Sequence, residues 1–122
     1  MVFIVEDDDS VRCAFERLVL LAGFQARTFS SAAEFLASPG MMDGACIISD
    51  IRMRGVSGLD LACQLRKQGV QTGMIFVTAY DSEEFRRKAQ QLGAVAYYRK
   101  PVDEQALLDS IEWAFNHHES KA

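Results

Sequence analysis

"CIISDIRMRG", residues Cys46–Gly55, joins a short apolar run to an aspartate and then to a loop that carries Gly55. Cys46, Ile47, Ile48 and Ser49 lack the apolar–polar alternation of a strand with one wet face. Such a run belongs inside a parallel sheet whose two faces are both covered by helices. Asp50 then places a carboxylate at the mouth of a buried strand, where an unpaired charge is costly. That placement needs a chemical reason.

Four more runs of the same kind flank this one: Val2–Val5, Gln25–Phe29, Met74–Val77 and Val95–Tyr98. Between them the apolar period becomes helical. Val11, Ala14, Phe15, Leu18 and Ala22 fall on one stripe, closed by Gly23. Ser31 and Glu34 have capping-box spacing ahead of Phe35 and Leu36. Ser57 opens a segment with Leu59, Ala62 and Leu65 that stops before Gly69. Asp81 with Glu84 is expected to cap a fourth helix carrying Phe85, Ala89 and Leu92 and ended by Gly93. Asp103 starts a fifth, with Leu107, Ile111, Ala114 and Phe115 on its apolar face. Strict strand–helix alternation, with strands too apolar to face water, predicts an α/β fold: a doubly wound, five-stranded parallel sheet with five helices. Residues 1–116 are expected to form this domain and 117–122 a C-terminal tail or the start of a linker, with His117 and His118 exposed in it.

A chain of 122 residues with 49% hydrophobic content suits one globular domain with a real core. A net charge of -4 opposes direct nucleic-acid binding, which needs clustered Lys and Arg. Neither a signal peptide nor a run long enough to span a membrane is recognisable, so no membrane association is expected. The three cysteines, Cys13, Cys46 and Cys63, are far apart and suggest neither a disulfide framework nor a zinc site, which favours a reduced, cytoplasmic setting.

In an open parallel sheet the functional crevice lies beyond the carboxyl ends of the strands. The first strand is followed by "EDDDS", the third by "DIRMRG", the fourth by "TAYDS" and the fifth by "RKP", whereas the second runs into "SSAAE". Glu6, Asp7 and Asp50 would converge. Like charges about 4 Å apart repel by about 4 kcal/mol at an effective dielectric of about 20, so the cluster needs a cation. Hard carboxylate oxygens suit Mg²⁺. A carboxylate beside such an ion is also a nucleophile for a phosphoryl group, and Thr78 and Lys100 supply a hydroxyl and a cation for phosphoryl oxygens. Taken singly, each group has an ordinary reading: helix N-cap charges for "EDDDS", a loop start for Asp50, a strand-end threonine for Thr78, a solvated charge for Lys100. Tyr97 and Tyr98 have one too, as core or edge aromatics. The conjunction on one rim favours a site.

The motifs "VFIVEDD", "ISDIRM", Gly58, "FVTAY" and "YYRKP", in this order and on these strands, resemble the receiver domain of bacterial two-component response regulators, with its CheY-like, flavodoxin-like fold. The resemblance covers essentially the whole chain. It implies that Asp50 is the phosphoacceptor for a sensor histidine kinase, that Asp7 ligates Mg²⁺ directly and Glu6 through water, and that the Arg52 main-chain carbonyl completes the protein ligands. It further implies that Thr78 is the switch hydroxyl, Tyr97 the aromatic that turns inward behind it, Lys100 the phosphoryl-binding lysine, and that Pro101 follows a cis peptide bond. Such a domain is a phosphoacceptor that supports its own phosphoryl transfer and autodephosphorylation rather than an enzyme acting on a separate substrate.

Two departures stand out. Arg54 occupies the place, four residues after the phosphoacceptor, where the family usually has proline, and Glu6 replaces a commoner aspartate. "SDIRM…SG" with "FSSAAEFL" is most similar to receivers of the FixJ type, which usually precede a helix-turn-helix domain. The expected output is therefore transcriptional regulation through an effector domain outside this chain, or a stand-alone receiver, with a homodimer through helix 4, strand 5 and helix 5 on phosphorylation. The alternative is a pseudo-receiver acting as a phosphorylation-independent interaction module. A flavodoxin-like redox protein is excluded on charge, since "EDDDS" would repel an FMN phosphate.

Overall fold

A computed structural model describes residues 1–38 and 46–118. The elements alternate as expected: β1 (Val2–Val5), α1 (Asp9–Leu21), β2 (Ala26–Phe29), α2 (Ala32–Ala37), β3 (Cys46–Asp50), α3 (Gly58–Lys67), β4 (Gly73–Thr78), α4 (Glu83–Gln91), β5 (Ala96–Arg99) and α5 (Glu104–His118). All strand pairs are parallel, in the order β2-β1-β3-β4-β5. The chain winds outward one way from β1 to β2 and the other way from β3 to β5. The point where the direction reverses therefore lies between β1 and β3, and the crevice opens there.

Side chains alternate across a strand, so each central strand feeds both faces. Phe3, Val5, Ile47, Met74 and Phe76 join Phe35, Leu61 and Leu65 under α2, α3 and α4. Val2, Ile4, Ile48, Ile75 and Val77 join Phe15, Val19, Leu107 and Ile111 under α1 and α5. Each fully buried side chain of this size contributes roughly 1.5–3 kcal/mol. Double coverage holds for β1, β3 and β4. The edge strands β2 and β5 are only half-buried, because one flank of each has no neighbour. Among the described residues, no helix is long and apolar enough to cross a membrane.

Local signals place most helix ends. Asp8, Ser31, Ser57 and Asp103 each accept the backbone N–H three residues on, at 2.8–3.1 Å. Gly23 adopts the left-handed conformation, with φ of 95°, that ends α1. Three details differ from expectation. Ser82 rather than Asp81 caps α4, accepting from the Phe85 N–H at 3.0 Å, because the carboxylate of Asp81 is held by Arg86 and Tyr97. On α1, Ala14 and Ala22 are exposed, and Val19 joins Phe15 as the buried pair, since the larger side chains win the inner face. Finally, α5 continues through His117 and His118, and His117 stacks on Trp113 with ring centroids 3.8 Å apart. Residues 119–122 of the expected tail lie outside the described residues.

One glycine decides where Asp50 sits. The N–H of Gly58 donates to the carbonyl of Ile51 at 2.9 Å, and a Cβ on Gly58 would lie 2.1 Å from the carbonyl oxygen of Asp50 and 2.8 Å from Ser49 Oγ. The first turn of α3 thus presses directly on the end of β3. Gly58→Ala should cost about 3 kcal/mol, at the upper end of overpacking penalties, because the obstructing atom is backbone. Urea denaturation checks this; a loss below about 1 kcal/mol would show that the contact relaxes freely.

Candidate functional site

The carboxyl ends of β1, β3, β4 and β5 deliver the polar groups. Glu6 follows β1 and is buried at 1% exposure, while Asp50 ends β3 at 6%. Asp7, half-buried, completes a group in which one carboxylate oxygen from each residue lies within 4.8 Å of the other two. Lys100 follows β5, before a cis Lys100–Pro101 bond. Its ammonium donates to Glu6 Oε1 at 2.8 Å and to Asp50 Oδ2 at 3.0 Å.

Backbone amides donate to three further oxygens of the cluster. The Arg52 N–H donates to Asp50 Oδ1 at 3.3 Å, the Asp8 N–H to Glu6 Oε2 at 3.2 Å, and the Arg54 N–H to Asp7 Oδ2 at 3.2 Å. Burial, with help from the charge of Asp50, pushes the Glu6 carboxyl up to about 6, although the hydrogen bond from Lys100 pulls the other way. For Lys100, burial works to lower the pKa, but the bonds to Glu6 and Asp50 outweigh it and hold the ammonium above its ordinary value.

Thr78 and Tyr97 stand beside this cluster without joining it. The Thr78 hydroxyl donates to the carbonyl of Tyr80 at 3.1 Å and accepts the Tyr80 N–H at 3.0 Å. The Tyr97 hydroxyl donates to Asp81 Oδ1 at 3.2 Å. Arg86 grips the same carboxylate through Nε at 2.9 Å and through Nη2, and that grip above all lowers the Asp81 pKa. Tyr98 faces the other way, into a hydrogen bond with the Ala106 carbonyl at 3.0 Å.

Residues 2–112 match the family model described as the response regulator receiver domain. This chain is a member of that family. It is 36% identical over 114 residues to the response regulator protein TmoT of Ectopseudomonas mendocina, covering 93% of this chain and 52% of that protein. It is 33% identical over 110 residues to the transcriptional regulatory protein FixJ of Azorhizobium caulinodans, covering 90% and 52%. A crystal structure of FixJ-N superposes with a TM-score of 0.87 at 28% identity, over 95% of this chain and 93% of that one. The chain thus spans about half the length of the curated relatives it matches. The CheY-like fold and the likeness to FixJ both agree with the sequence.

The receiver's donor set fits a hard divalent cation. Two nearly dry carboxylates share one ammonium, a third stands beside them, and every potential ligand atom in the group is oxygen. Glu6, Asp7 and Asp50 are the groups that could hold it. Sequence reasoning missed three contacts here: Arg54 on Asp7, Arg52 stacked over the Tyr80 ring at 4.1 Å, and Arg12 Nη1 donating to the Glu6 carbonyl at 2.9 Å. Only the departure from proline at Arg54 offered a clue.

In the presence of chelator, the pH dependence of stability should expose Glu6. Its folded pKa, about 6, lies above the ordinary 4.5, so the folded state binds the proton more tightly than the unfolded one. Stability is therefore lost as pH rises through that window, by about 2 kcal/mol in all. Glu6→Gln should remove this loss, as read from denaturant midpoints across the acid-to-neutral range. A variant curve parallel to the parent's would place the buried proton elsewhere.

Proposed function

We propose that this receiver domain is a phosphorylation switch: Asp50 accepts a phosphoryl group from the phosphohistidine of a sensor histidine kinase, with Mg²⁺ held by Glu6, Asp7, Asp50 and the Arg52 carbonyl. The observation that carries this reading is a nearly dry Asp50 at the end of the central strand, bonded to Lys100 and flanked by two further carboxylates. An Asp50 oxygen attacks phosphorus, the P–O bond forms as the P–N bond of the phosphohistidine breaks, and the imidazole leaves. Mg²⁺, when bound, neutralises carboxylate and phosphoryl oxygens together. Lys100, held in its charged form, pairs with a phosphoryl oxygen after its bond to Asp50 is given up.

Output follows from the second pair of residues. The Thr78 hydroxyl, now bonded to Tyr80, moves to the phosphoryl group, and the Tyr97 ring turns into the space it leaves. This alters the face of α4, β5 and α5, where Arg86, Arg87 and Lys88 lie among Asp81, Glu83 and Glu84. Mixed charge suits a self-complementary contact, so the phosphorylated form associates through this face or docks a partner there. The name of FixJ, a transcriptional regulatory protein, supports transcriptional control as the output, which would act through an effector domain outside this chain.

Acetyl phosphate with Mg²⁺ should add one phosphoryl mass to the intact chain, and Asp50→Asn should abolish the addition. Unchanged mass in the parent is the outcome a phosphorylation-independent interaction module demands. Labelling of the Asp50→Asn variant would move the acceptor to another residue. Thr78→Ala should still take the phosphoryl group but lose most of a coupling of about 1–3 kcal/mol between phosphorylation and association. Sedimentation of the two phosphorylated proteins decides this: equal association would show that Thr78 does not transmit the signal.

A further inference from the structure

The three carboxylates of the cluster are not neutralised alike. Glu6 and Asp50 share the ammonium of Lys100, which is itself largely sheltered. Asp7 receives instead from Arg54, which stands 47 positions away in the chain. The Arg54 N–H donates to Asp7 Oδ2 at 3.2 Å, and the guanidinium Nε lies 3.8 Å from the same oxygen. The Arg54 side chain is 91% exposed, against 23% for Asp7. At that separation the guanidinium acts through its field rather than as a directional hydrogen bond. The cluster thus carries a resident, solvated positive charge at its mouth.

We infer that Arg54 is a counter-cation that competes with the divalent metal ion for Asp7, and so raises the Mg²⁺ concentration at which the receiver becomes competent for phosphorylation. This rests on the reading of Glu6, Asp7 and Asp50 as the Mg²⁺ site. A cation bound through Asp7 would share that carboxylate with the guanidinium of Arg54. The two positive charges repel. The exposed arginine swings away at little cost, because a surface ion pair of this kind is weak. The effect is therefore a tuning of affinity rather than a block, and it is sensitive to salt, since the pair sits in water. The main-chain N–H of Arg54 does the opposite, orienting the Asp7 carboxylate without adding net charge.

Side chain and backbone can be separated by substitution. Arg54→Gln keeps the N–H and removes the charge; Arg54→Lys keeps both. The probe is Mg²⁺ alone, titrated calorimetrically into the chain. Arg54→Gln should bind roughly three- to tenfold more tightly than the parent at low ionic strength, with the gap shrinking to under about twofold in concentrated salt, while Arg54→Lys stays within about twofold of the parent. Equal or weaker binding by Arg54→Gln, or a gap that ignores salt, overturns the role of Arg54. Asp7→Asn and Asp50→Asn separate this from failure of the site itself. If both lose Mg²⁺ while Arg54→Gln matches the parent, only the counter-cation falls. If both bind Mg²⁺ as the parent does, the site reading falls with it.

Discussion

Lys100 brings one ammonium within hydrogen-bond reach of two buried carboxylates that come from the ends of two different strands. Left unpaired, either carboxylate would carry a desolvation penalty of several kcal/mol. Adjacency of β1 and β3 brings Glu6 and Asp50 together, but β5 lies beyond β4, about two strand spacings or 10 Å from β3. Only a long side chain starting at the end of β5 spans that distance. A compact ammonium with three donors then serves both oxygens, where a planar guanidinium would favour one carboxylate in a paired fork.

The backbone around Asp50 is correspondingly stiff. Asp50 is registered against Val77 in β4, and the next residue, Ile51, donates its N–H to the Val77 carbonyl at 3.0 Å. From the other side, the first turn of α3 closes on the Asp50 carbonyl through Gly58, and Ser49 Oγ donates to that carbonyl at 3.0 Å. Reacting groups gain most from being held in place beforehand, and here the burial of a whole strand does the holding. The apolar run of Cys46 to Ser49 and the charge of Asp50 are therefore two parts of one device.

Strand number, sheet direction and rim were legible because they depend on local pattern. Continuous apolar runs mark doubly covered strands, and serine or aspartate directly before the first helical residue, placed to accept the N–H three residues on, marks the caps. What failed was choice among similar local options. Asp81 and Ser82 both have a residue at cap spacing, and the decision lay with Arg86 and with Tyr97, which is distant in sequence. Ala14, Ala22 and Val19 on α1 could not be ranked without knowing which face meets the sheet. Arg66 was illegible altogether. As a charged residue in the last turn of α3 it looks solvated, yet its guanidinium donates to the carbonyls of Val70, Thr72 and Leu92 at 2.8–3.1 Å and is pushed to a lower pKa by burial. No sequence rule pairs a cation with three carbonyls that only the fold assembles.

The same distinction shows where the site can communicate. The hydroxyls of Thr78 and Tyr97 are both tied to the segment between β4 and α4, Thr78 through the main chain of Tyr80 and Tyr97 through Asp81. That segment also leans on the site directly, since the Tyr80 ring lies under the guanidinium of Arg52, whose amide holds Asp50. A force on Thr78 must first break its two bonds to Tyr80, and the freed residue adjoins Asp81, the anchor of both Arg86 and Tyr97. Because Ser82 begins α4 immediately afterwards, nothing flexible separates this anchor from the helix. The movement of Thr78 proposed above would therefore reach the outer face of α4 and β5 through Tyr80, Asp81 and Ser82, without passing through the close-packed core.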